Sequence, residues 1–204
     1  MTAISALGNR VIAEVNDSTN NTLSASITGT NFTEIQQYLV DGISEYRKYV
    51  FREVFDSSVI TSANTRGYVV SALSPAPYIL KRVEYVQTST AIHNIPDVEL
   101  FNGTMYTFDG DRPLFQEANK YFNLWYYAKH DLPSASSAQV TLPQEDEEIP
   151  INYAKSKVMK KQALDQRGIN QDTTAEFLNM AESFEKSFRD GIKRNATVFT
   201  SYKG

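Results

Sequence analysis

The apolar residues of this chain follow a helical period at both ends and a strand-like pattern in the middle. That double switch restricts the available folds more than any other feature. Ile4, Leu7, Val11, Ile12 and Val15 recur at three- and four-residue steps, which predicts an amphipathic helix. The polar cluster NDSTNN, residues 16–21, stops it; Leu23, Ala25 and Ile27 then alternate before Gly29, as in a short hairpin or extended loop. A second helix opens at Asn31 or Thr33, where Asn31 with Glu34, or Thr33 with Gln36, can form a capping pair. Its stripe is Ile35, Leu39, Ile43, Tyr46 and Val50, so one face packs on a neighbour.

After Asn64-Thr65-Arg66-Gly67 the pattern changes. Tyr68 to Val70, Tyr78 to Tyr85, Met105 to Phe108 and Tyr121 to Tyr127 are rich in β-branched and aromatic residues and are separated by Pro, Gly or Asn/Asp. Asp109-Gly110-Asp111-Arg112-Pro113 has the chemistry of a tight turn between antiparallel strands, and 131–143, between two prolines, reads as loop. Two helices close the chain. Glu145 to Glu148 precede Ile149-Pro150, where carboxylates and a first-turn proline both favour a helix N-terminus, and Gly168 is a natural stop. The last helix is expected to open on Thr173 and Glu176 as a capping box. It carries Phe177, Ala181, Phe184, Phe188 and Ile192 on one face, with Glu182–Lys186, Glu185–Arg189 and Asp190–Arg194 as i,i+4 pairs on the rest.

The expected fold is therefore α+β: a four-helix bundle formed by the N- and C-terminal helices, with an inserted antiparallel β-rich subdomain. In boundaries, 1–66 holds the first helices with an inserted loop at 16–30, 67–147 the β-rich insertion and loop, 148–194 the closing helices and 195–204 a tail. A length of 204 residues suffices for such a core without disulfide or metal. No cysteine is present, which excludes thiolate metal sites, cysteine nucleophiles and thiol redox chemistry and leaves a reducing compartment open. A net charge of −4 carries no polycationic signature, so any DNA contact must be local. MTAISALGNR has no basic flank or signal-length apolar run, and no stretch approaches the ~20 residues that span a bilayer, so the chain reads as soluble and unexported, with no membrane anchor. Asn-x-Ser/Thr triplets at Asn16, Asn20, Asn31, Asn102 and Asn195 reflect the abundance of these residues rather than a secreted glycoprotein.

A search for catalytic chemistry returns little. There is no phosphate-binding glycine loop, no His-Glu-x-x-His and no Gly-x-Ser-x-Gly elbow. His93 and His130, the two histidines, lack a local carboxylate at ligand spacing and read as plain surface residues. Asp109 and Asp111 read as turn residues, since RPLFQE supplies no calcium-loop ligands, and Glu145 to Glu148 as a helix start rather than a cation site. No metal or other cofactor is expected. One constellation stands out: Lys157, Lys160, Lys161 and Arg167 fall within an arc of about 120° opposite Ile151, Ala154 and Val158. That basic face is either solvated or meets an acidic partner or DNA phosphates.

Four passages, in this order, resemble the head-to-tail adaptor (connector, head-completion) proteins of tailed bacteriophages. NFTEIQQYLVDGISEYRKY, residues 31–49, is similar to the family's second-helix opening, and PYILKRVEYV, residues 77–86, to its Pro-then-strand passage. LWYYAKHDLP, residues 124–133, looks like its last strand, and EDEEIPINYAKSKVMKKQAL, residues 145–164, like the acidic-then-proline entry to its long helix with the Tyr153-Ala154 step. The chain departs from the common pattern in the 16–30 insert, the 131–144 loop and the tail after Arg194. The resemblance implies a non-enzymatic virion protein at the head-tail interface, assembled in the host cytoplasm. It would form a homo-oligomeric ring of about 12 copies that binds portal protein and a tail or nozzle protein and touches genomic DNA transiently. It also implies that the tail, with Val198, Phe199 and Tyr202, binds a partner and folds as it does so, laying Phe199 and Tyr202 into a portal groove or across the next subunit. The alternatives from other classes are a monomeric binding module that uses aromatics such as Trp125, Tyr126 and Tyr127, and a small hydrolase that uses Asp109 or Asp111 with His130. Alternation along the strand buries about half of the aromatic run in any case.

Overall fold

The computed structural model describes residues 2–15, 32–109, 112–113 and 117–197. The expectations for 16–30, Asn31, Asp111 and the tail residues Val198, Phe199 and Tyr202 lie outside the described residues. The protein is a mixed α+β chain with four helices and two antiparallel sheets among the described residues. It divides into a helical unit, residues 2–50 with 130–197, and a β unit, residues 51–129. The divisions thus fall at Val50/Phe51 and Lys129/His130 rather than at 66/67 and 147/148.

In the helical unit, α1 (Ile4–Glu14) buries Ile4, Leu7, Gly8 and Val11. Its N-cap, Ala3, has no side-chain acceptor, and the main chain of the 131–141 loop supplies what the cap lacks. The Ile4 and Ser5 amides donate to the Ala138 and Ser136 carbonyls, each at 3.0 Å, and the Val140 amide donates to the Thr2 carbonyl at 2.9 Å. Helix α2 (Glu34–Tyr46) opens on the Thr33–Gln36 capping box and buries Ile35, Leu39, Gly42, Ile43 and Tyr46. It ends at Tyr46, and Val50 reaches the same core from beyond the helix. A Cβ at Gly42 would stand 3.2 Å from the Pro150 backbone and 3.1 Å from the Tyr153 Cβ, so glycine permits the close α2 crossing over the helix that begins at Glu148.

That helix, α3 (Glu148–Gln166), packs on α1, α2 and the last helix α4 (Gln171–Asn195). Its buried residues, from Ile149 through Ala154, Lys155, Ser156 and Val158 to Ala163, surround the axis except for a strip holding Tyr153, Lys157, Lys160 and Leu164. Gly168, at φ +87°, ends the passage out of α3 in the left-handed conformation. The expected capping box on Thr173 is replaced by Asn170, whose side chain accepts from the Asp172 and Thr173 amides at 3.1 and 3.2 Å. An asparagine three residues earlier captures amides that lie three residues nearer the N-terminus, so α4 starts sooner. Ala181, Phe188 and Gly191 are its buried residues, whereas Phe177 and Phe184 are only half-buried.

The β unit holds β1 (Phe51–Asp56), β2 (Gly67–Val69), β3 (Ile79–Val86), β4 (Ile92–Asn94), β5 (Asp97–Phe101), β6 (Thr104–Asp109), β7 (Arg112–Pro113) and β8 (Tyr121–Lys129). One sheet runs β1-β8-β3-β4, the other β2-β6-β5 with β7 on β6. Strand β1 arises within the stretch read from sequence as helical. Pairing is antiparallel throughout, and Asp109 stands opposite Arg112 as the turn chemistry predicts. Asn102 and Gly103, with φ of 47° and 73°, make the tight β5–β6 turn that favours the Asn-Gly dipeptide. Along β8, Phe122, Leu124, Tyr126 and Ala128 enter a core with Tyr68, Val70, Val83 and Met105; Asn123, Trp125 and Tyr127 face the other way.

Phe188 meets Tyr153 edge-on at 5.0 Å and is nearly sealed, while Phe184 is half-buried with the Lys155 ammonium over its ring. Phe188→Ala therefore lowers unfolding stability by about 3–5 kcal/mol, and Phe184→Ala by about 1–2 kcal/mol. Urea titration of the two variants checks the order.

Candidate functional site

The helical unit gathers ionisable groups where α1, α2, α3 and α4 meet. Asp146 lies in the 3₁₀ turn Gln144–Asp146 that leads into α3 and is buried. One carboxylate oxygen accepts from the Tyr46 hydroxyl at 2.6 Å, and the other from the Asn195 side-chain amide. Burial, followed by the hydrogen bond to Asp146, raises the Tyr46 pKa well above the ordinary phenol value, so the hydroxyl keeps its proton and donates. Glu147 is also buried and pairs with Arg10 at 3.5 Å; Arg10 reaches Glu148 as well, at 2.8 Å. Lys155, 5 % exposed, pairs with Glu148 at 2.8 Å and with Glu14. The acidic run read as a helix start is thus also the set of tie points of the helical unit. A cleft of about 440 Å³ opens beside it between the α3 entry and the α4 end, with Glu145, Asn152, Ser187, Asp190 and Arg194 in its wall.

The basic face is more engaged than its sequence arc suggests. Lys160 pairs with Glu185 of α4 at 2.5 Å and Lys161 with Glu34 of α2 at 2.6 Å. Lys157 lies 5.0 Å from the Tyr153 ring centre. Arg167 is the C-cap of α3, with extended backbone, so it leaves the helical arc altogether and is exposed. Two of the four cations therefore fasten neighbouring helices, whereas Lys157 and Arg167 form no ion pair among the described residues. The Lys160 hydrogen bond, opposed by burial and aided by Arg189, holds the Glu185 carboxyl below its ordinary pKa. At Glu34 burial works upward, yet the bonds from Lys161 and Tyr38 bring the net shift down.

The histidines separate. His93 is exposed on β4 with its ring over Tyr85. His130, 2 % exposed, corrects the expectation of a surface residue: it follows the last β8 residue and turns into the helical unit, where its ring packs on Tyr46. Its Nδ1 lies 3.1 Å from the Thr141 carbonyl and 3.4 Å from the Thr141 hydroxyl. Among the described residues no group of three His, Asp or Glu side chains is placed to hold a metal ion, and no helix is long and apolar enough to cross a membrane. Sequence reasoning passed over Lys155 and read Asp146 only as part of the acidic helix start. The seven-residue spacing of Glu148 and Lys155 puts them on one helix face and could have flagged that pair; the Tyr46–Asp146 contact spans 100 residues and has no local signature.

Tyr46→Phe removes a hydrogen bond to a buried carboxylate and is expected to lower stability by about 1.5–3 kcal/mol in denaturant titration. A second outcome concerns acid. Because the pKa values of Glu34 and Glu185 are depressed, their contribution is present above the ordinary carboxylate value of 4.5 and is lost as pH falls below it. Glu34→Gln/Glu185→Gln should therefore melt lower than the parent at neutral pH, and the difference should shrink below pH 4.5, as read from thermal melts across that range.

Comparison with known proteins leaves the site to be read from its own chemistry: no family model matches the chain, and no curated protein matches it.

Proposed function

We propose that this protein is a structural virion component, a ring-forming adaptor that joins the portal vertex of a phage head to the tail and lines the DNA passage. The observation that carries the reading is the order of elements. Two helices, a β insertion and two helices follow one another, with the four resembling passages in sequence and both ends of the described chain in one helical unit. In this reading the four helices act together as a bundle that carries the β insertion. About 12 copies close a ring through two different faces of each subunit. Portal protein binds on one side and a tail or nozzle protein on the other, with Val198, Phe199 and Tyr202 engaging portal. Lys157 and Arg167 are the cations left to meet a neighbour or passing DNA, since Lys160 and Lys161 already hold carboxylates. No cofactor and no catalysis enter.

Half-buried Trp125 and Tyr127 on β8, with exposed Phe55 and Tyr121, support a second reading, a binding module, from which Tyr126 is removed by its complete burial; the hydrolase alternative draws no support from a buried His130. Mass photometry with and without the cognate portal protein separates them. A ring-sized species that persists or grows with portal supports the adaptor, and a monomer under both conditions overturns it. Deleting residues 196–204 is expected to leave a folded protein that no longer co-purifies with portal, whereas Lys157→Glu/Arg167→Glu retains the parent melting temperature and weakens ring or DNA association.

A further inference from the structure

Strand β1 ends the β1-β8-β3-β4 sheet, with β8 as its partner among the described strands. An antiparallel strand turns the main-chain groups of alternate residues to opposite neighbours. On β8 the Phe122 amide donates at 3.0 Å to the carbonyl of Val59, in the chain that continues from β1, and the Tyr127 carbonyl accepts at 2.7 Å from the Tyr78 amide, just ahead of β3. Even-numbered β8 residues therefore turn toward β1 and odd-numbered ones toward β3. Arg52, Val54 and Asp56 stand opposite Ala128, Tyr126 and Leu124, so their main chain turns in to β8, and that of Glu53 and Phe55 turns outward to the edge. Both outward residues are exposed, Phe55 by 54 %. The β1–β8 register is unbroken and β1 contains no proline, so this edge lacks the bulge and the proline that commonly close an edge to a further strand.

The chain that leaves α4 starts on that same series of groups. The Thr197 amide, two residues beyond α4, donates to the Tyr49 carbonyl at 2.9 Å, and Tyr49 is the odd-numbered residue next before β1. Running back from Tyr49, the segment would meet the amides of Arg47, Lys48 and Tyr49, which already donate to carbonyls of α2. Running forward, it meets the outward groups of β1 and lies parallel to them. Seven residues, 198–204, follow Thr197 and lie outside the described residues. At about 3.3 Å per strand residue they are long enough to match the six of β1. Val198, Phe199, Thr200 and Tyr202 are residue types that strands favour.

We propose that residues 198–203 add to β1 of the same chain as a parallel fifth strand. The Phe199 and Ser201 carbonyls accept from the Glu53 and Phe55 amides, and the Ser201 and Lys203 amides donate to the Glu53 and Phe55 carbonyls, which continues the step begun by Thr197 and Tyr49. Pairing through the main chain leaves side chains of the tail to a partner, so this docking goes beyond the adaptor reading and stands without it.

The alternation supplies a test on the full chain. Hydrogen exchange resolved to single amides should find Glu53 and Phe55 protected. Ser201→Pro deletes a donor that faces β1 and should speed exchange at both amides at least about tenfold, whereas Thr200→Pro, at an amide that faces away, should leave both within about twofold. Val54 and Asp56, whose main chain turns to β8, should stay protected in all three proteins. Fast exchange at Glu53 and Phe55 in the parent overturns the proposal, as does an equal response to the two prolines. Which chain supplies the strand is read from Phe55→Cys/Tyr202→Cys, whose two cysteines are the only ones in the protein, joined by a short bismaleimide and run on a denaturing gel. An internally bridged monomer is expected. A ladder of linked chains places the tail on a second copy, unbridged chains separate it from β1, and either result overturns the proposal. Neither readout uses portal, so failure here leaves the adaptor reading to its own test.

Discussion

Asp146 is the point on which the helical unit closes. A carboxylate withdrawn from water is tolerable only where donors replace its hydration, and both donors come from far along the chain: Tyr46 at the end of α2 and Asn195 at the end of α4. The pair of bonds therefore fastens the α3 entry to the final turns of two other helices. Lys155 does the converse one helical stretch further on, a sequestered ammonium held by a carboxylate of α1 and one of its own helix. Breaking either constellation by removing one partner leaves a stranded charge, which is more damaging than replacing the whole set with apolar groups.

Helix α3 depends on these ties because it is covered on most of its circumference. Its sequence is too polar for a fully apolar helix, and the polar residues it buries, Lys155 and Ser156, sit where a simple amphipathic stripe would have placed them in water. Lys160 and Lys161 then grip helices on the two flanks of its one open strip. In this arrangement the same lysines that make a sequence look like an anion-binding surface serve as internal fasteners.

How far the sequence discloses this structure follows from the range of the forces involved. The stripes of α1 and α2, the Thr33 capping box, the Gly168 stop and the alternation along β8 are local, and each is legible within a dozen residues. Strands β1, β4 and β5 were missed because they are short or carry charged residues, and their pairing partners, not their own composition, make them strands. His130 read as a surface residue because its burial comes from Tyr46, 84 positions away in sequence. Of the site residues, the basic arc was visible, yet its partners Glu34 and Glu185 lie on other helices and no periodicity reveals them.

The loop that supplies the α1 N-terminus with acceptors does so through the carbonyls of Ser136 and Ala138. Main-chain acceptors are indifferent to side-chain identity but not to spacing. Substitution at the exposed Ser134, Ser137 and Gln139 is therefore cheap, whereas inserting or deleting one residue between His130 and Val140, itself a core residue, displaces the carbonyls from the helix end and leaves the first amides unpaired. In evolutionary terms, these outward positions are free to drift in composition while the stretch is bound in length.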